Sequence, residues 1–445
     1  MNPSLKPKGR TWFFLGFILF FFILRFFFGL YCPPVTDAGD YVQTYTIGLK
    51  FYTTHTWPFF GPDVQQPETA FKTQMPGALE GLLIDFSFRL WPSPESPTFF
   101  LNLLSFLALT LWGWYCAKRL PGFPPLFILA WLYIAPWTTH YSTTVINPSY
   151  AFLGSALFFL GFCETLPGFT LGLIKPHWAN LAMGFGIAWA MQLHMSYLVF
   201  IPFFLLSLYF QSRNKKLGSA AGFSFLGALP LLALLLPTYM EYGFNVGRDA
   251  QGFITGINWS NARDLFGTLA RFCSMASFEM PRFIGDHTHE REMYLLNLPW
   301  LLVPGFFLWA AGFLQPVLMI GFCFVKRHPR ADWKWVRGLG VGTFFLIYGL
   351  FLFSPDMAAS FRLVLLYPVL FLYSFYCFDA LRGNRWWYWL GIVFILFGVY
   401  FQAFYTFENA RKTDSIYVQY RDRITQALQQ NDYRIFSPRR EGSLY

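Results

Sequence analysis

The stretch "WFFLGFILFFFILRFFFGLY" (residues 12–31), followed at once by "CPPVTDAGDY" (32–41), decides how the rest of the chain is read. It is a run with a single charge, Arg25. A helix needs about 20 apolar residues to cross a bilayer, and this run supplies them. Lys6, Lys8 and Arg10 precede it, as in a signal sequence, but "CPPVTD" follows in place of a small-residue cleavage site. The run is therefore expected to persist as a first span. Two carboxylates, Asp37 and Asp40, then stand where the chain leaves the membrane.

The remaining sequence fits that beginning. The chain has 445 residues, of which 55% are hydrophobic, 22% aromatic and 13% charged. A soluble protein would carry about a quarter charged residues. Further apolar runs lie near 97–116, 124–141, 148–164, 178–194, 196–211, 219–241, 296–325, 338–354, 363–380 and 386–406. The expected fold is an all-α polytopic membrane protein with about eleven transmembrane helices, although the continuous run 178–211 allows another division. No internal repeat or soluble-domain linker interrupts it. A transmembrane domain over 1–406 and a short tail over 407–445 account for the chain.

The net charge of +10 is not read as a nucleic-acid footprint, because the basic residues gather in short connections between runs: "AKRL", "SRNKK", "VKRHPRADWKWVR" and "LRGNRWW". Such loops stay cytoplasmic. Counting spans alternately puts the N-terminus inside and residues 32–96, 138–147, 242–295, 355–362 and 407–445 outside, and every basic loop lands on one side. The six cysteines are scattered singly, with no zinc-ligand or redox spacing. Cys32 and Cys273 are the two expected to face outside, and a bond between them is not expected.

The first outer loop carries helical periodicity. Tyr41, Tyr45, Leu49 and Tyr52 recur every three or four residues, as do Leu79, Leu82, Leu83, Phe86 and Leu90. Both segments are expected to be amphipathic helices lying on the outer membrane surface. Pro76 suits the opening of the second and Pro92 its end. In the tail, Ile416, Tyr420, Ile424 and Leu428 share one helical face, with Thr413 or Asp414 as cap, and this helix is expected to dock on the outer surface.

Asp37 or Thr36 can cap the first surface helix, and Asp40 suits the positive end of its first turn. A carboxylate fixed there can also take a proton from an incoming hydroxyl. Asn147, Gln192 and His194 fall at outer span ends, where they can hydrogen-bond a polar ligand, or equally a neighbouring helix. His140 shares that region. Arg25, inside the first span, is expected to snorkel outward or to neighbour a lipid phosphate. "GDHTHERE" (285–292) gathers Asp286, His287, His289 and Glu290, but at no established metal spacing, so no metal site is assigned there.

"TDAGDY" (36–41) after a first span, then "KTQMPGALEGLL" (72–83), "VINPSYAFLGSALFFLGF" (145–162), "MQLHMSYLVFIPFFLL" (191–206) and "SFRLVLLYPVLFL" (360–372), resembles the bacterial relatives of protein O-mannosyltransferases and aminoarabinose transferases. These are family 39-like, GT-C class integral-membrane glycosyltransferases. The resemblance extends to about residue 380. The chain departs from the family pattern in Asp37-Ala-Gly-Asp40, in Met75-Pro76-Gly77 and in Leu363 after Arg362. Either aspartate remains eligible as the base.

The resemblance implies a sugar donor carried on a polyprenyl phosphate and used at the extracytoplasmic face of a bacterial inner membrane. The acceptor is a lipid, glycan or protein hydroxyl. The leaving group is already a phosphate, so it needs cations rather than an acid. Arg362 and Lys72 are the expected phosphate ligands, Asp37 or Asp40 the base. No cofactor and no nucleic-acid partner are expected. There is no phosphate-binding glycine loop and no cytoplasmic stretch large enough for nucleotide-sugar chemistry. Two other readings compete. One is a transporter or lipid flippase, which calls for repeats and midplane broken helices. The other is an O-antigen polymerase or ligase, for which Arg248, Arg263, Arg271, Arg282 and Arg291 in the large outer loop are the residues to watch.

Overall fold

The protein is described by a computed structural model covering residues 8–32, 38–64, 73–243, 257–278, 292–293, 296–354, 360–381, 383, 385–413 and 415–437. In chain order the main elements are α1 (Lys8–Tyr31), α2 (Ala38–Thr54), β1 (Phe60–Val64), β2 (Thr73–Pro76), α3 (Leu79–Leu90), α4 (Ser96–Arg119), α5 (Pro125–Ile134), α6 (Pro136–Thr143), α7 (Phe152–Thr165) and α8 (Pro176–Met191). Then come α9 (Phe200–Arg213), α10 (Leu217–Ala233), α11 (Leu236–Tyr242), α12 (Trp259–Ala262), α13 (Leu265–Ser274), α14 (Leu302–Phe322), α15 (Trp333–Leu352), α16 (Ser360–Leu363), α17 (Tyr367–Leu381), α18 (Arg385–Ala410) and α19 (Ile416–Gln430).

This is an all-α polytopic membrane fold. Among the described residues seven helices are long and apolar enough to cross a bilayer, and α10 with α11, bent by 57°, adds an eighth when the pair is taken as one span. Pro230 inside α10 and Pro237 in the first turn of α11 remove helical donors around the bend. The other expected runs form shorter helices: α5, α7 and α8. Helix α1 exposes Trp12, Phe13, Leu19, Phe20, Ile23 and Phe27 along one side, as a lipid-facing stripe does. Almost every residue of α17 is buried. Close packing of α8 on α10 depends on two glycines: a methyl at Gly184 would overlap the Ser224 carbonyl, and one at Gly227 would overlap that of Leu181.

The expected span 124–141 is broken at Pro136, and the break explains Arg25. Proline cannot donate to the Leu132 carbonyl, and the chain turn frees the next two carbonyls. Thr138 Oγ1 donates to Leu132 O at 2.7 Å, Arg25 Nη1 to Tyr133 O at 2.7 Å, and Gln402 Nε2 to Ile134 O at 2.7 Å. Arg25 also donates to Ser142 Oγ and is fully buried. It does not snorkel; it closes a helix break.

Connections expected on one side do meet. Arg119 of the first basic loop pairs with Asp332 at 3.4 Å, and Arg330 pairs with Asp379 at 2.8 Å while donating to Pro121 O at 3.1 Å. At the other end, Thr238 donates to Phe59 O at 2.9 Å, and Asn431 donates to Thr53 O at 3.3 Å. The tail helix α19 docks there, as its periodicity implied: Ile416 and Ile424 are buried, and Tyr420 stacks on Tyr41. Its cap is Ser415, which accepts from Val418 N, rather than Thr413 or Asp414. All six cysteines are free, Cys32 and Cys273 included.

Candidate functional site

The loop after the first span forms both expected helices, but α2 does not lie on a surface. Tyr41, Tyr45 and Leu49 are buried, with Tyr45 packed between Phe88 of α3 and Phe436 of the tail. An unexpected hairpin, in which Phe60 pairs with Pro76 and Val64 with Thr73, carries the chain back between α2 and α3. Pro76 therefore ends a strand and does not open a helix. The return makes α2 and α3 parallel: Thr44 lies beside Glu80, and Gly48 beside Ile84. Both helices point their positive N-terminal ends the same way.

Helix α3 turns its apolar stripe outward. Phe86 and Leu90 are exposed, while Glu80, Ile84, Asp85, Ser87 and Phe88 face the protein. Asp85 is paired with Arg89 at 2.8 Å. Among the described residues Glu80 has no ion-pair partner. Thr44 Oγ1 donates to its Oε1 at 3.4 Å, and its Oε2 is buried without a hydrogen bond among the described residues. Burial, opposed by the Thr44 bond and reinforced by the charge of Asp40, pushes the Glu80 carboxyl up to about 8. Sequence reading passed Glu80 over, because one acid beside an apolar stripe looks like a wetted face.

Asp40 sits in the first turn of α2, as expected, with its side chain exposed. Asp37 and Lys72 lie outside the described residues, as do Arg248, Glu279, Arg282, Asp286, His287, His289, Glu290 and Arg291. Among the described residues no group of three or more His, Cys, Asp or Glu side chains is arranged to hold a metal ion.

Gln192, one residue past α8, reaches this platform. It packs on Gly77, whose φ of +144° only glycine adopts readily and where a Cβ would stand 2.9 Å from the Gln192 side chain. Gln192 Nε2 donates to Leu231 O at 2.6 Å, and its Oε1 is buried and unpartnered among the described residues. Asn147 precedes Pro148 through a cis peptide bond, and its Oδ1 is likewise buried and unpartnered among the described residues. Trp189 Nε1 donates to Tyr150 O at 2.8 Å, which holds the 147–150 turn against the last turn of α8.

His194 caps the short 3-10 helix Met195–Val199, its Nδ1 accepting from Ser196 N at 3.2 Å. That turn packs on the 3-10 turn Val364–Leu366, so His194 feels the positive charge of Arg362. Arg362, half-buried on α16, donates from Nη1 to Ser354 Oγ at 3.1 Å. The structure thus joins Gln192 to the α2–α3 platform, holds Asn147 in the turn that Trp189 fixes against α8, and sets His194, two residues beyond Gln192, beside Arg362. Arg263 follows α12 and Arg271 lies on α13, and both helices belong to the Arg362 neighbourhood: Asn261 Nδ2 donates to Ser354 O at 3.0 Å, and α13 packs on α16. A cavity of about 70 Å³ bounded by Trp131, Phe278, Gln315, Ser374 and Phe378 is apolar and touches none of the candidate residues.

No family model and no curated protein matches the sequence. The structure is similar to the crystal structure of ArnT from Cupriavidus metallidurans bound to undecaprenyl phosphate, with a TM-score of 0.52 and 11% identity over 96% of this chain and 78% of that one. With that likeness on top of the helix order and the surface platform, the chain has the GT-C-type fold of ArnT.

Proposed function

We propose that the chain is a membrane glycosyltransferase that moves a sugar from a polyprenyl-phosphate carrier to an acceptor hydroxyl at the extracytoplasmic face of a bacterial inner membrane. The reading is carried by one observation. Asp40, at the start of a two-helix platform, and a cation, Arg362, lie at the same end of a fold shared with a protein solved with undecaprenyl phosphate.

Asp37 or Asp40 takes the acceptor proton. The freed oxygen attacks the anomeric carbon in line, and the bond to the carrier phosphate breaks with its electrons on phosphate, giving inversion. Arg362 and Lys72 hold that phosphate, whose charge needs donors rather than a general acid. Asn147, Gln192 and His194 contact sugar or acceptor; the oxygens of the two amides, buried and unpartnered among the described residues, suit hydroxyl donors. The acceptor is a lipid, glycan or protein hydroxyl, and the scheme uses no cofactor.

The test uses the full chain in nanodiscs with undecaprenyl-phosphate-linked sugars as donors. Asp37→Asn, Asp40→Asn and the double variant separate the two aspartates, and Arg362→Ala is followed by binding of undecaprenyl phosphate. The double variant should lose transfer while still binding the lipid, and R362A should lose binding. Full transfer by the double variant would overturn the mechanism.

A further inference from the structure

Glu80 is the buried acid that this mechanism leaves unused. It is 2% exposed, with Thr44 of α2 bonded to its carboxyl and Tyr150 of the Ser149–Ala151 turn within reach of its charge. Thr44, one helical turn after Asp40 on the same face of α2, donates to Oε1. An acceptor role for Oε1 leaves Oε2 as the oxygen that bears a hydrogen when the acid is neutral. Oε2 has no partner among the described residues.

Burial and the charge of Asp40 oppose the ionisation of Glu80, and the Thr44 hydrogen bond acts against them. Asp40 contributes negative charge from α2, and Tyr150 faces it from the Ser149–Ala151 turn as a neutral phenol. On its own helix, Asp85 and Arg89 are paired with each other. Gln192, from the end of α8, adds no charge.

We propose that Glu80 is a positioning residue of the candidate site, a neutral carboxyl beneath Asp40 that spares the site a second negative charge while an anionic phosphate is held there. The inference rests on the function proposed above. Burial that pushes Glu80 to about 8 keeps the acid neutral through the physiological range and lets it ionise just above. Ionisation then places a new charge near Asp40 and near any bound phosphate. At roughly 10 Å and an effective dielectric of about 20, one such charge weakens phosphate binding roughly tenfold.

Two measurements test this on the full chain. The first is the infrared carbonyl band of a protonated carboxylic acid. It should be present at pH 7, titrate away above pH 8, shift in Thr44→Val and be missing from Glu80→Gln. The second is binding of undecaprenyl phosphate in zwitterionic nanodiscs against pH. The phosphate's own titration is common to both proteins, so the ratio of affinities isolates Glu80. Wild type and E80Q should agree to within about threefold at pH 6.5, and wild type should fall roughly tenfold behind by pH 9.

A wild-type spectrum without the band at pH 7 overturns the proposal, and so does a parallel pH dependence in the two proteins. Should E80Q not fold, the band's titration and its shift in T44V decide the question. Failure of both proteins to bind the lipid at any pH overturns the proposed function and this role with it. The band would still report whether Glu80 keeps its proton.

Discussion

Arg25 of α1 donates a hydrogen bond to the carbonyl oxygen of Tyr133 at 2.7 Å, across 108 residues of sequence. The carbonyl is free because Pro136 breaks the helix it belongs to. Arg25→Leu would leave the Tyr133 carbonyl to the Thr139 hydroxyl, which donates to it at 3.0 Å, and would remove the charged donor from Ser142 Oγ. A hydrogen bond from a charged group contributes about 1.5–3 kcal/mol. R25L should therefore unfold several degrees lower in detergent while its spectrum at low temperature stays helical. An unchanged midpoint would show that the break closes without Arg25.

The contact of α8 with α10 gives a second, sterically defined expectation. Gly184→Ala places a methyl on the Ser224 backbone carbonyl, which cannot swing aside as a side-chain tip would. Overpacking of this kind costs about 1–3 kcal/mol. Gly222→Ala on α10 is the control, since a methyl there meets nothing within 4 Å. Thermal midpoints should fall for G184A and stay put, or rise slightly through helix propensity, for G222A.

What was legible in the sequence follows from what is local. Spans and their alternation were readable because hydropathy and loop charge are sums over neighbouring residues. The meeting of Arg119 with Asp332 and of Arg330 with Asp379 confirms that the basic loops share one end. Arg25 was misread because its partners lie in another helix, and a buried arginine with carbonyl acceptors has the same local sequence as one that snorkels. The stripe on α3 turns outward, as a helix lying on a membrane surface requires, but the acid opposite it, Glu80, is enclosed, which periodicity alone does not show. The hairpin at 60–76 was missed because strands this short show no period-two pattern, and Pro76 looked like a helix opener. Gln192 was chosen from a motif, but its contact with Gly77 needs the three-dimensional return of the chain.

The tail's attachment rests on Glu95, which accepts from the Tyr417 hydroxyl and from Arg421 Nε, the latter at 3.2 Å. Burial works against the charged form of Glu95, but hydrogen bonds from Ser93, Tyr417 and Arg421 hold its carboxyl below the usual range. A lowered carboxyl stabilises the docked tail above its ordinary titration range and releases it as pH falls through the lowered one. Glu95→Gln should remove that dependence. At pH 7 it should speed amide exchange across 416–430 without changing exchange in α17. Arg421 is about half exposed, so the change should stay below about 1 kcal/mol.

Glu80 gives the opposite sign. Its carboxyl titrates near 8 in the folded protein and near 4.5 when unfolded. Between those values the unfolded chain has released the proton and the folded chain has kept it. The unfolded state thus binds fewer protons, and stability must fall as pH rises through this window, levelling off above about 8. An amide cannot ionise in either state, so Glu80→Gln removes the slope. The two proteins should differ least at pH 5, and by pH 8 E80Q should have gained on wild type by up to a few kcal/mol. Denaturant midpoints measured in one detergent from pH 5 to 8 check this directly. Parallel curves would mean that Glu80 reaches water in the folded state, because only a solvated carboxyl keeps the same affinity for its proton before and after unfolding.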